Sequence, residues 1–105
     1  MNVESKLRDV VKAFSRYGYV VLERGLGERI LDMLRERGAI HLVQVTRHRK
    51  YVVIEINKLA CMRECENKCR DTVTGRKLLE CFSECMDQCV LERVNELVAR
   101  ILKQG

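Results

Sequence analysis

The chain has 105 residues, with 20 Lys or Arg against 15 Asp or Glu and a formal net charge of +5. That length builds one domain, or one small domain with an appended element, and the surplus of positive charge favours an anionic partner over a basic or apolar one. Met1 to Lys6 lead into an amphipathic stretch rather than an apolar signal core, and no apolar run approaches the ~18–20 residues of a membrane span, so neither a secretion signal nor a membrane partner is expected.

From residue 3 to about 17, Val3, Leu7, Val10, Val11 and Phe14 recur at helical spacing, with Lys6, Arg8, Asp9, Lys12 and Arg16 on the other face. Gly18 supplies the stop. Tyr19 to Glu23 is β-branched and aromatic, and predicts a short strand. Gly25 and Gly27 then punctuate the chain before a second helix, about Glu28 to Arg37, with Leu26, Ile30, Leu31 and Leu34 as its apolar face and Gly38 as its cap. Two strands follow, Ala39 to Thr46 and Tyr51 to Ile56, joined by Arg47-His48-Arg49-Lys50. Val52, Ile54 and Ile56 alternate, so this hairpin should bury one face.

The order helix, strand, helix, strand, strand resembles a winged helix, in which a basic β-hairpin follows a recognition helix. One helix of that fold is replaced here by the Gly25-Leu26-Gly27 turn. The exposed face of helix 28–37 mixes Glu28, Asp32 and Glu36 with Arg29, Arg35 and Arg37, which argues against reading a groove with it.

After Asn57, a plausible helix cap, all six cysteines fall within 29 residues: Cys61, Cys65 and Cys69, then Cys81, Cys85 and Cys89. A spacing of four puts each trio on one helix face. The trios mirror each other about Gly75, so an antiparallel hairpin with Asp71 to Gly75 as its turn sets Cys61 against Cys89, Cys65 against Cys85 and Cys69 against Cys81. Packed helices bring facing Cα atoms to roughly 3.5–5.5 Å, which overlaps disulfide geometry. The drift of the stripe predicts crossed helices with Cys65–Cys85 near the crossing and more strain in the outer pairs. A first closure of this size stabilises by roughly 3 kcal/mol, and nested bridges should not add fully. The competing chemistry is thiolate ligation of zinc or an iron–sulfur cluster, which two straight rows of three suit poorly.

The first arm runs from Lys58 to about Arg70 and the second from about Arg76 to Lys103. The second carries Leu78, Phe82, Val90, Val94, Leu97, Ile101 and Leu102, and its last turns outrun the first arm. Residues 90–102 must therefore pack on the N-terminal half or on a second copy of the chain. The hairpin with twin CxxxC pairs resembles small mitochondrial import chaperones and plant α-hairpinin peptides over about thirty residues. The third cysteine in each row departs from both, so the resemblance implies hairpin geometry and no function.

Residues 1–57 carry eleven basic against seven acidic side chains and residues 58–105 nine against eight, so the charge excess lies in the first half. Arg47, His48, Arg49 and Lys50 form the one uninterrupted basic run, placed where a hairpin tip could reach phosphates; the plainer reading is a solvated turn that blunts a sheet edge. His41 and His48 have no partners that suggest catalysis. No nucleophile triad, phosphate loop or helical metal motif appears, so no enzyme activity, cofactor or small-molecule substrate is expected. Six cysteines without a signal, 33% charged residues and Arg well ahead of Lys suggest the cytoplasm of a hyperthermophile, archaeal or viral, with a secreted mature chain as the alternative.

The sequence thus predicts an α+β fold: an αβαββ unit over residues 1–57 and a disulfide-stapled helical hairpin over 58–105, packed as one compact domain. The leading functional expectation is a small basic nucleic-acid-binding or regulatory module acting through Arg47, His48, Arg49 and Lys50. The alternatives are an assembly protein, homodimeric through residues 90–102, and a metal or iron–sulfur protein using the cysteines.

Overall fold

The computed structural model describes residues 3–70 and 75–102. Helix α1, Val3–Tyr17, buries Val10 and Phe14 completely and ends at Gly18, whose N–H donates to the Phe14 carbonyl at 3.0 Å and whose φ of 77° turns the chain out of the helix. Strand β1, Tyr19–Glu23, then passes without a linker into helix α2, Arg24–Glu36.

Helix α2 starts four residues before its periodicity predicts, because Gly25 and Gly27 do not break it. Glu23 Oε1 accepts the Gly25 N–H at 3.1 Å, and the Lys50 carbonyl accepts the Arg24 N–H at 3.1 Å, so two of the donors freed at the helix start are met. Gly27 is there for proximity. A Cβ at that position would lie 2.8 Å from Val52 Cβ, so only glycine lets the helix seat on the sheet.

At its other end α2 closes in a Schellman motif: Gly38 N–H to Arg35 O at 3.1 Å and Ala39 N–H to Leu34 O at 2.8 Å, with Gly38 at φ 67°. That motif draws Ala39 fully into the core, and Ile40–Leu42 forms a 3₁₀ turn. The expected strand from Ala39 therefore begins only at Val43. Strand β2 is Val43–Arg47 and β3 is Tyr51–Ile56. The sheet is antiparallel throughout in the order β1-β3-β2, with Tyr19 opposite Glu55 and Val43 opposite Ile56.

Helix α3, Leu59–Lys68, is shorter than the predicted arm, and Asn57 Oδ1 accepts the Leu59 N–H at 3.1 Å. The predicted turn residues Asp71 to Thr74 lie outside the described residues, as does Lys103; Gly75, at φ 93°, is the point where the left-handed backbone is needed. Helix α4, Arg76–Leu102, has 27 residues. At 1.5 Å per residue it spans about 40 Å, most of the molecule's 53 Å long axis.

Three disulfides join α3 to α4: Cys61–Cys89, Cys65–Cys85 and Cys69–Cys81, with Cα separations of 5.7, 5.6 and 6.0 Å. The middle pair is closest, yet the three values are so even that the arms barely diverge along the stripe. Bridged sulfurs cannot act as thiolate ligands, and no described cysteine is free, so the metal reading loses its donors.

At 100° per residue, the cysteine stripe of α4 and its second stripe, Val90, Val94, Leu97 and Ile101, point about 150° apart. The helix therefore shows α3 one side early and the core the opposite side late. Val94, Leu97 and Ile101 join Val10, Phe14, Ile30, Leu31, Leu34, Val52, Ile54 and Ile56 in one hydrophobic cluster. Residues 90–102 thus pack on the N-terminal half. Of their large apolar side chains only Leu91 and Leu102 stay exposed, so the stripe that was the alternative surface for a second copy is occupied within the chain. The ends of α2 and α4 are tied reciprocally: Arg37 donates to the Ile101 carbonyl, and Arg100 donates to the Gly38 carbonyl at 2.7 Å.

Candidate nucleic-acid interface

The β2–β3 connection has three residues, His48, Arg49 and Lys50, between the strands. Arg47 pairs with Val52, the His48 N–H reaches the Tyr51 carbonyl at 2.8 Å, and Arg49 and Lys50 form the tip. The start of α2 braces this tip from behind through the Arg24 N–H on Lys50 O and Arg24 Nη1 on His48 O at 3.2 Å.

The four basic residues of the run divide by strand parity. Arg47 points to the helix side of the sheet, where its Nε and Nη2 donate to Glu28 Oε2 and Oε1 at 2.9 and 3.1 Å. The guanidinium hydrogen bond holds the Glu28 carboxyl below its ordinary pKa, helped by the charges of Arg47, Arg24 and Arg35, and the same bond raises that of Arg47. Its charge is largely spent on that carboxylate. His48 instead turns to the outer face and stacks on Tyr51, ring centroids 4.5 Å apart with 25° between planes. Arg49 and Lys50 are exposed and have no acidic partner among the described residues.

That outer face is where sequence reasoning fell short. Strands β1 and β3 carry nearly the same five residues, Tyr-Val-Val-Leu-Glu at 19–23 and Tyr-Val-Val-Ile-Glu at 51–55. Paired antiparallel, they set Tyr19 against Glu55, Val21 against Val53 and Glu23 against Tyr51. Even-numbered partners Val20, Val52 and Ile54 are buried, while the odd-numbered set faces out, with Gln44 and Thr46 of β2 beside it. The signal was present: both strands are apolar at odd as well as even positions, which a strand with one solvated face does not require.

Two of the chain's three tyrosines, Tyr19 and Tyr51, stand on this face, and the third, Tyr17 at the end of α1, lies beside Tyr19. Tyr17, Tyr19 and Tyr51 are 62, 46 and 43% exposed, and the Tyr17 and Tyr19 rings lie 6.0 Å apart. Phe14, by contrast, is fully buried.

Elsewhere, no group of three His, Cys, Asp or Glu that could hold a metal occurs among the described residues, and no described helix is long and apolar enough to cross a membrane. The chemistry on offer at the tip is cationic contact beside exposed aromatic rings. Comparison with known proteins adds no relative: no family model, curated protein or solved structure matches the chain.

Proposed function

We propose that the chain is a small nucleic-acid-binding module that works by electrostatic contact and without catalysis, with Arg49 and Lys50 as its leading phosphate ligands. One observation carries this reading. The two side chains crown a turn braced by Arg24 and have no carboxylate partner among the described residues, whereas Arg35, Arg47, Arg93 and Arg100 each have one. A pre-formed cationic tip gives up little conformational freedom when it meets a phosphate, and each contact releases counterions. The three disulfides hold the hairpin in an oxidising setting or in a hyperthermophile's cytoplasm equally well.

The test is binding of labelled random-sequence DNA and RNA across a salt series. The affinity should fall steeply with salt, and Arg49→Ala/Lys50→Ala should flatten the log–log slope by about 1.4 to 1.8, the share of two phosphate contacts. An unchanged slope, or no binding at low salt, defeats the reading.

A further inference from the structure

No described helix lies on the outward face of the sheet, and its composition is unusual for solvent. Tyr51 and Tyr19 stand at opposite ends of the β1–β3 strip, with Val21 and Val53 between them. Four residues along one strand and one strand across put those rings about 14 Å apart. His48 is already stacked on Tyr51, and Tyr17 lies beside Tyr19. The basic tip, Arg49 and Lys50, adjoins the Tyr51 end.

We propose that this face is a stacking platform for single-stranded nucleic acid: unpaired bases lie on Tyr51 with His48 and on Tyr19, while phosphates run towards Arg49 and Lys50. The proposal rests on the nucleic-acid reading above and adds the strandedness of the ligand and the surface that selects it. Several observations favour a single strand. Ring faces are useful only to bases that are not already stacked in a duplex, and a sheet with outward aromatics takes two or three such bases. A tip of three residues is short for entering a groove, and α2 offers mixed charge where a groove reader would need a basic face. The charge also fits: Arg49 and Lys50 lack acidic partners among the described residues, and of the two carboxylates on this face, Glu23 is turned to the start of α2, where it accepts the Gly25 N–H. Glu55 stays beside Tyr19, so the phosphates should favour the Tyr51 end.

A second copy of the chain is the other occupant such a face could take, and the experiment separates the two. The chain has three tyrosines and no tryptophan, so two of its three emitters stand on this surface and the third, Tyr17, lies beside Tyr19. Titration with a fifteen-residue oligothymidylate should quench that emission, and the oligonucleotide should bind more tightly than a duplex of the same length. Tyr19→Ala/Tyr51→Ala should weaken single-strand binding by about 5- to 150-fold for each base that loses its ring. Binding of the duplex should not change, and Tyr51→Phe should keep most of the affinity. Circular dichroism of each variant checks that the sheet remains.

Equal or tighter duplex binding, insensitive to the tyrosines but lost in Arg49→Ala/Lys50→Ala, would overturn the platform and leave the electrostatic module standing. Binding to neither ligand would remove both. A concentration-dependent dimer in sedimentation that disappears in Tyr19→Ala/Tyr51→Ala would also overturn the platform, by assigning the face to self-association.

Discussion

Arg47 and its two neighbours at the tip look alike in sequence and do different work, because a strand alternates its side chains between faces. Arg47 falls on the helix side and is claimed by Glu28; Arg49 and Lys50 lie beyond the ladder and are not. Substituting Glu28 by Gln removes a negative charge and releases the guanidinium, so Glu28→Gln should tighten nucleic-acid binding and steepen its salt dependence by up to one further contact. Titration does the same from the acid side. The folded-state pKa of Glu28 is depressed, so the pair contributes fully above the ordinary value of 4.5 and is lost as pH falls through the lowered one. Wild-type and Glu28→Gln stabilities should therefore converge in acid, which urea melts at pH 7 and pH 3 would check. Gly27 makes a second residue-scale case. Gly27→Ala forces a methyl to within 2.8 Å of Val52 Cβ, and overpacking of this kind costs about 1–3 kcal/mol. Adding Val52→Ala should not restore stability, since the crowding atom is Cβ itself, whereas Val52→Gly should relieve the clash at the expense of the strand. If Gly27→Ala melts as wild type does, the close approach of α2 to the sheet is wrong.

At the scale of elements, much was legible and the misses share a cause. Helix α1, strand β1 and strand β3 could be placed from periodicity alone, because an amphipathic face or a β-branched run is a local property. The cysteine mirror about Gly75 was legible for the same reason: it is arithmetic on spacing. The start of α2 and the start of β2 were not, since Gly25 and Gly27 are breakers by propensity and become helical only through Glu23, Lys50 and Val52, which are tertiary partners. The outer face of the sheet was missed because Val52, Ile54 and Ile56 already accounted for one buried side, and the apolar odd positions were not weighed against it. Helix α3 shows the reverse dependence. It has 10 residues and its buried side chains are cysteines, Cys61 and Cys65. A helix that short is marginal in water by itself, so the sulfur bridges are what hold it. Reduction should melt α3 while leaving the sheet, α1 and the core half of α4, which Val94, Leu97 and Ile101 anchor. Amide exchange by mass spectrometry, with and without reductant, should show protection lost over residues 59–68 and kept over 90–101. Retained protection in α3 after all three bridges are opened would show that packing, not sulfur, supports it.

For the molecule as a whole, α4 is the one element shared by both halves, and it serves them from opposite sides. The stripe of Cys81, Cys85 and Cys89 belongs to the hairpin, and the stripe of Val94, Leu97 and Ile101 to the core, so few side chains report to both. The bonds from Arg37 to the Ile101 carbonyl and from Arg100 to the Gly38 carbonyl join α2 to the core end of α4, so they do not tie the hairpin to the core. Loss of the core should therefore not carry the oxidised hairpin with it. Leu97→Ala removes a fully buried side chain from the cluster, and such truncations cost about 2–5 kcal/mol, enough to bring the sheet and α1 near unfolding at moderate temperature. On heating, oxidised Leu97→Ala should lose its tyrosine near-ultraviolet signal and sheet protection first. A helical far-ultraviolet signal from α3 and the first half of α4 should persist to higher temperature and vanish when reductant is added. Coincident loss of both signals in the oxidised chain would mean that the core and the stapled hairpin fold as one cooperative unit, with the disulfides stabilising the basic tip and the open sheet face from a distance. Sequential loss would mean that the sulfur hairpin is an autonomous brace, and that the proposed binding surface depends on the core half of α4 alone.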